Sequence, residues 1–529
     1  MNNAKALKAW EQILTADNIT QAQDLLQEAA TATYQTTQTV KAILRPTTVE
    51  QVQECLKIAS EHHVPVYPVS GGKNWGYGSR VPPADGCALL DLSRLNQIID
   101  FSEDLAYVTV EPGVTQQQLY DFLQEKQSGL WMDSTGSSPY SSLIGNVLER
   151  GFGHTPYGDR FANVCGLEVV LPTGKLIHTG FGRFPNAKTA QLYRWGVGAY
   201  LDGLFTQSNF GVVTKMTIWL MPAPEYFQSF YFSIKSEAEL PELINALRPL
   251  RLNGTIKSAV HVGNSYKVLS SIRQYPWQEA NNVTPLPPET MNYFAKSWDF
   301  GAWNGSGGIY GTKKQVAEAR RLIKKALKGK VRKLQFIDDN LLKLAQVVAK
   351  QYQQVTGLNL PEMLKLIKPV YGLMKGIPTP TQLKSAYWRK KFEPPTDMNP
   401  DRDGCGLIWC APVAPLEGKC AQEINSITKE IVIKHGFEPL ISLTLLTERC
   451  LGCVLSITYD RNEPGEDDKA IACYDELLQT LTDSGYYPYR LGIHSMDTAT
   501  SGEKDYQELL NQIKGAIDPD NVLAPNRYL

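Results

Sequence analysis

Between Val40 and Val110 the apolar positions change rhythm repeatedly, and each change marks an element. The dense run VKAILRP predicts a strand, and VEQVQECLKIASEHH, with apolar residues at helical spacing, predicts a helix. VPVYPVS, CALLDLSRL and LAYVTVEPG predict further strands. A helix at TQQQLYDFLQEK and strands at LEVVLPTG, KLIHTG and GVVTKMTIWLMPAP continue the α+β alternation, which suits a nucleotide-binding unit. The opening MNNAKALKAWEQILTADNITQAQ has the spacing of a short amphipathic helix. After Pro224 the character changes: strand-like FQSFYFSI is followed by helical ELPELINALRPL and KKQVAEARRLIKKALKG, with aromatic and proline-rich connections. A domain boundary is expected there. From Gly485 onward, GYYPYRLGIHSM is expected as a short strand, YQELLNQIKGAI as a helix and DPDNVLAPNRYL as an irregular tail. The expected organisation is therefore residues 1–224, 225–480 and 481–529, without internal repeats.

The chain has 529 residues, too many for one ordinary core at roughly 100–200 residues per domain. A net charge of −1 leaves no electrostatic footprint for nucleic acid. The N-terminal stretch lacks the apolar run of a signal peptide, and no stretch approaches the ~18 uninterrupted apolar residues of a membrane span. Nine scattered cysteines suit reduced thiols better than a disulfide framework. A cytoplasmic enzyme acting on a small molecule is the expectation.

Candidate chemistry begins at Val69-Ser70-Gly71-Gly72-Lys73-Asn74-Trp75-Gly76-Tyr77-Gly78-Ser79, with four glycines in eight residues directly after a strand. Such a loop converges backbone N–H groups on an anion, or is simply a glycine-rich turn. It is neither GxGxxG opening a helix nor GxxxxGK[ST], so a nicotinamide fold and a P-loop are not supported. A second cluster runs from Gly136 to Asn146, followed by GFGHTPYGD from Gly151 to Asp159. Two such clusters can line one elongated cofactor, one at a pyrophosphate and one along a flat ring that requires close backbone approach. Flavin fits that arrangement.

Six stretches in order, PVSGGKNWGYGS, SSLIGNVLERGFGHTPYGDRF, GLEVVLPTGKL, YLDGLFTQSNFGVVTKMTIWLMP, GLMKGIPT and DPDNVLAPN, resemble the vanillyl-alcohol oxidase and p-cresol methylhydroxylase family of flavoproteins. The resemblance runs from about Arg45 to Pro525. It implies an α+β fold of two domains: a PCMH-type FAD-binding domain of two α+β subdomains, completed by the C-terminal segment, and an antiparallel-sheet substrate cap. It also implies FAD held by Ser70, Gly71, Gly72, Lys73, Asn74, Gly76 and Gly78 and by Gly136, Ser137, Ser142, Gly145, Asn146, Gly151, Thr155, Gly158, Asp159, Gly211, Val213 and Asn526. A homodimer, with oxygen or an electron carrier as acceptor, is expected by the same analogy.

In the 4-alkylphenol branch of that family two tyrosines and an arginine hold the substrate as a phenolate, and Tyr77, Tyr489 and Arg490 stand at the matching positions. Phenolic donors and a guanidinium stabilise a phenolate, which eases hydride loss to the flavin. The plainer readings are a turn tyrosine and a strand-edge pair. The chain departs from the pattern in three places. Where alcohol-oxidising relatives place an aspartate, it offers Gly136 or Ser137, and Asp133 lies too early in the chain for hydrogen-bond reach. His154 replaces a tyrosine, and an imidazole near its ordinary ~6.5 can serve as acid or base or simply line the flavin wall. Leu407 stands at the flavin-tethering position, so FAD is expected to be non-covalent, with Cys405 as the nearby thiol. Cys450-Leu-Gly-Cys453 continues as the alternating strand CVLSITYD, favouring a structural role over a metal site. The open readings are phenol oxidation, a same-fold enzyme desaturating or cyclising a larger metabolite, and a flavin-binding scaffold without turnover.

Overall fold

The computed structural model describes residues 2–356 and 360–529. The N-terminal half forms two sheets. One is a four-stranded sheet in the order Ile19–Thr20, Val40–Leu44, Cys87–Asp91 and Val66–Val69, the last three parallel. Its strands are buried on both faces, which explains their dense apolar runs. Helix Val49–His62 covers it, started by Thr48, whose side chain accepts from the Gln51 amide, and ended by His63 in the left-handed region. The other sheet is antiparallel, in the order Ile98–Ser102, Tyr107–Val110, Val212–Trp219, Val164–Val170 and Leu176–His178. These are the two α+β subdomains expected from the sequence.

The C-terminal tail returns to the first sheet. Val66 and Ala524 exchange backbone bonds with Val522 and Val66, and the Lys514 ammonium donates to Asp518 at 2.5 Å and to the Asn209 and Leu523 carbonyls. Helix Lys504–Ile517 forms as expected, but GYYPYRLGIHSM does not form a strand. Pro488 makes only an isolated bridge to Pro412, since proline lacks the N–H that a ladder needs.

From Tyr226 an antiparallel sheet forms in the order Lys333–Ile337, Tyr226–Ile234, Trp303–Gly311, Val260–Asn264, Leu440–Leu445, Cys450–Asp460 and Cys405–Cys410, with Val413–Pro415 also paired to Cys450–Asp460. Helices Leu240–Leu252, Lys313–Leu327, Gly418–Lys434 and Glu466–Asp483 accompany it. Alternation along the strands gives the sheet two unlike faces. Phe230, Phe232, Val260, Val262, Ile408, Ile441, Leu443, Leu455 and Ile457 enter the largest hydrophobic core. The residues between them, Tyr231, Ser233, His261, Gly263, Leu407, Trp409, Ser442, Thr444 and Ser456, line a cavity on the other face. Among the described residues no helix is long and apolar enough to cross a membrane.

Candidate active site

The cavity measures about 680 Å³, within the ~300–1,000 Å³ usual for small-molecule sites. Its floor comes from the N-terminal half and its roof from the cap sheet, with helix Leu360–Leu373 adding Met363, Leu366, Ile367 and Val370. Strand Val66–Val69 delivers the glycine-rich loop, which needs left-handed backbone at Gly72, Gly76 and Gly78, with φ of +63°, +80° and +111°. Asp401 clamps the loop from the cap side, accepting from Trp75 Nε1 at 3.1 Å and Ser79 Oγ at 2.7 Å. Burial raises the Asp401 carboxyl to about 6.

Ser70, Gly71, Gly72, Lys73 and Asn74 line the cavity. Gly145 meets this loop from the second cluster so closely that a Cβ on it would collide with Ser70 Oγ. Gly136, Ser137, Ser142, Asn146, Gly151, Gly211 and Val213 also line the cavity. Ser137 Oγ stands 3.1 Å from Thr135 Oγ1 and 3.3 Å from Ser141 Oγ, a chain of hydroxyls. The other expected cofactor residues lie outside the lining. Gly76 packs beneath the Trp409 ring and Gly78 against Ile493. Gly158 adjoins the Gly153 carbonyl, and Thr155 bonds Asp133 through both its amide and its hydroxyl. Asp159 and Asn526 are exposed. Neighbouring Arg527 lines the cavity instead, paired with Glu149 and donating to Tyr67 Oη at 2.6 Å.

Tyr77, Tyr489 and Arg490 come together on this cavity. The Arg490 guanidinium lies 4.5 Å from the Tyr77 ring centre, 3.4 Å from a Glu149 oxygen, and donates to Asn74 Oδ1. Trp409 meets the Tyr77 ring edge-on at 5.4 Å. Burial raises the Tyr77 phenol well above its ordinary value, with Tyr489 adding to the rise and Arg490 opposing it. Burial likewise raises Tyr489, against the pull of Arg490. Both remain O–H donors at neutral pH. A strand-edge pair facing solvent is not what forms, because Tyr489 and Arg490 sit in an irregular segment folded against the glycine-rich loop.

At Gly136 the cap contributes Gln382, whose amide occupies the place a Cβ would take. Asp133 points elsewhere, forming a buried ion pair with Arg160 at 2.8 Å. His154 lines the cavity 4.1 Å from the His261 ring. Burial, helped by the Arg160 charge, holds His154 down at about 4, so at pH 7 it is a neutral imidazole rather than one near its ordinary ~6.5. Among the described residues, Tyr77 Oη, His154 Nδ1, Tyr231 Oη and His261 Nε2 are buried without a hydrogen-bond partner within reach. Two glycine-lined loops in contact, a hydroxyl chain and polar atoms turned inward form a donor set that suits FAD and a polar substrate. Gln382, His261, Trp409, Lys267 and Arg160 were not singled out from the sequence. Arg160 lay within a quoted motif, and the strand alternation of the cap was the signal for His261 and Trp409.

A family model described as an FAD binding domain matches residues 40–180. The chain is 44% identical over 525 residues, 99% of its length and 97% of the relative's, to 1'-carboxy-chondrochloren decarboxylase of Chondromyces crocatus. It is 34% identical over 487 residues, covering 92% of this chain and 87% of the relative, to the 4-cresol dehydrogenase (hydroxylating) flavoprotein subunit of Pseudomonas putida. A crystal structure of p-cresol methylhydroxylase with substrate bound superposes with a TM-score of 0.88 at 32% identity, covering 100% of this chain and 96% of that one. The isoeugenol complex of 4-ethylphenol oxidase from Gulosibacter chungangensis gives 0.89 at 26% identity, covering 100% and 97%. This similarity over nearly the whole length of both partners, on the fold and cofactor loops described above, places the chain in the vanillyl-alcohol oxidase and p-cresol methylhydroxylase family of FAD-dependent oxidoreductases.

Proposed function

We propose that the chain removes hydride from the carbon attached para to a phenolic hydroxyl, with Tyr77, Tyr489 and Arg490 holding the substrate as its phenolate. The carrying observation is the convergence of two buried phenolic donors and one guanidinium on one cavity. Tyrosines kept protonated by burial donate to an oxyanion, and the guanidinium supplies the opposite charge. Ionising the phenol raises electron density at the para position, so the benzylic C–H bond yields its hydride more readily and the substrate becomes a quinone methide. FAD held by the two glycine-containing clusters would supply the hydride acceptor. The chain's own task is to orient the ring, keep water away and hold the negative charge.

The fate of the quinone methide follows from the acidic groups. Among the described residues lining the cavity these are Glu149 and Asp299, and both are ion-paired, Glu149 to Arg490 and Arg527 and Asp299 to Arg332 and Lys333. With Gln382 at Gly136, no carboxylate stands ready to drive water onto the intermediate. This favours loss of a proton or a carboxyl group from the adjacent side-chain carbon. Decarboxylation balances: the breaking C–C bond gives its electron pair to a new C=C bond, CO₂ leaves, and the ring returns to phenolate. The relative from Chondromyces crocatus is a decarboxylase by name, which supports loss of a carboxyl group as the fate of the intermediate. The acceptor that reoxidises FAD is oxygen or a carrier, since the relatives include both an oxidase and a dehydrogenase.

Two measurements test this reading. Under anaerobic conditions a 4-alkylphenol is expected to bleach the flavin while its O-methyl ether, which cannot ionise, leaves it oxidised. Equal bleaching by the ether would remove the phenolate mechanism, and a flavin inert to every phenol would leave an enzyme for a larger metabolite or a scaffold without turnover. We also infer that FAD is not tethered. Leu407 lines the cavity and has no nucleophile, while Cys405 lies off the lining with its thiol pushed well up by burial. Acid precipitation is expected to leave all the yellow colour in the supernatant, and a coloured pellet would overturn this.

A further inference from the structure

The cavity's cations are almost all matched by acids. Arg490 and Arg527 share Glu149, Lys333 pairs with Asp299, and Lys73 lies over the Trp75 ring with Asp397 and Asp401 nearby. Lys267 is different. It sits in the first turn of helix Ser265–Ile272, where its amide donates to the capping Asn264 side chain at 3.0 Å. Its stem lies along Gly263, where an added Cβ would meet Lys267 Cγ at 3.4 Å, so the chain runs across the cavity face of the cap sheet. Its ammonium donates to Ser385 Oγ at 3.3 Å, and among the described residues no carboxylate forms an ion pair with it. Burial alone brings the ammonium down to about 8, with no charged neighbour contributing.

Ser385 belongs to the short helix Thr381–Tyr387, which also carries Gln382 against Gly136 and packs Leu383 and Ala386 with Leu407 and Trp409. Trp409 in turn touches Tyr77. Lys267 therefore lines the same cavity as the phenolate trio and connects to it through packed side chains. Val268, Ile272, Trp298 and Phe300 provide apolar walls around it. A buried lysine without an acid is costly, and such a charge is normally matched by a partner.

We propose that Lys267, with the Ser385 hydroxyl beside it, binds a carboxylate on the side chain of the phenolic substrate, so the enzyme selects 4-hydroxyphenyl acids over neutral alkylphenols. This inference rests on the phenolate reading above. One ammonium N–H goes to Ser385 Oγ, whose own hydrogen is donated to the Gln382 carbonyl at 2.9 Å, so the lysine, oriented by that hydroxyl, keeps up to two charged donors for two carboxylate oxygens. Such a contact fixes the side chain relative to the ring without taking part in hydride removal, which makes Lys267 a specificity residue.

The test is calorimetric binding to holoenzyme whose flavin is kept reduced, so that no turnover occurs. The probes are 4-propylphenol and a short series of 4-hydroxyphenylalkanoic acids of increasing chain length, compared in wild type, Lys267→Met and Lys267→Arg. At least one acid is expected to bind wild type roughly 10- to 100-fold more tightly than 4-propylphenol, the range for a hydrogen bond to a charged group. Lys267→Met should erase that preference with the 4-propylphenol affinity unchanged and the melting temperature undiminished, and Lys267→Arg should restore part of it. An acid preference that survives in Lys267→Met, or none in wild type while 4-propylphenol binds, would overturn the proposal. If 4-propylphenol itself fails to bind wild type, the phenolate reading falls and this inference with it.

Discussion

Replacing Arg490 with alanine is expected to slow anaerobic flavin reduction by a 4-alkylphenol about 10²- to 10³-fold, the usual cost of removing one preorganised donor to a developing charge. Arg490 is the one group of the trio that carries a full positive charge, and Glu149, Asn74 and the Tyr77 ring hold it in place. Without it the two tyrosines still donate hydrogen bonds, but the phenol ionises closer to its solution value of ~10. The residual rate should therefore climb with pH toward that value, whereas the wild-type rate should already be near its plateau at neutral pH. Lysine at position 490 should recover only part of the loss, because an ammonium lacks the planar fork that bonds Asn74 while facing Glu149. Reduction at the wild-type rate by the alanine variant would remove the phenolate mechanism. Because Arg527 also pairs with Glu149, the variant does not leave that carboxylate alone.

Asp133→Ala should produce the largest loss of stability, about 3–5 kcal/mol, as expected when one partner of a buried ion pair is removed. The Asp133 and Arg160 side chains are 7% and 3% exposed. Asp133 accepts from Arg160 Nε, the Thr155 amide and the Thr155 hydroxyl, and Arg160 goes on to Asn146 Oδ1, Gln116 Oε1 and the Asp133 carbonyl. This network joins the segment carrying Gly136 and Ser137, the helix carrying Asn146 and the loop carrying His154. The variant should show a lower denaturant midpoint and weaker retention of FAD together. An unchanged midpoint would mean that the network adds nothing to the fold. Asp133→Asn, which keeps an acceptor for Thr155 but not the charge, should fall between the two.

Much of the site was legible before any coordinates because it depends on local rules. Gly72, Gly76 and Gly78 are glycines since the loop requires positive φ, and that requirement is written in the residues themselves. The strands and helices of the first half follow from their apolar rhythms, and the ordered motifs named the family. What was less legible shares one cause. Gly76, Gly78, Thr155, Gly158, Asp159 and Asn526 lie in motifs that do meet the cavity, yet a motif does not say which of its residues faces inward and which supports the turn. GYYPYRLGIHSM looked like a strand, but its place is set by Arg490 bonding Asn74 some four hundred positions away.

Short-range backbone demands and residues within recognisable motifs made the fold class, the family and FAD readable from the chain alone, and they nominated Tyr77, Tyr489 and Arg490 for the phenolate role proposed above. The chemistry around them came only with the folded chain: Gln382 faces Gly136, Asp133 pairs with Arg160, His154 is held neutral, and among the described residues Lys267 has no carboxylate partner. Protonation and pairing depend on burial and on what stands within a few ångströms, and chain folding assembles those neighbours from segments with no sequence relation to one another.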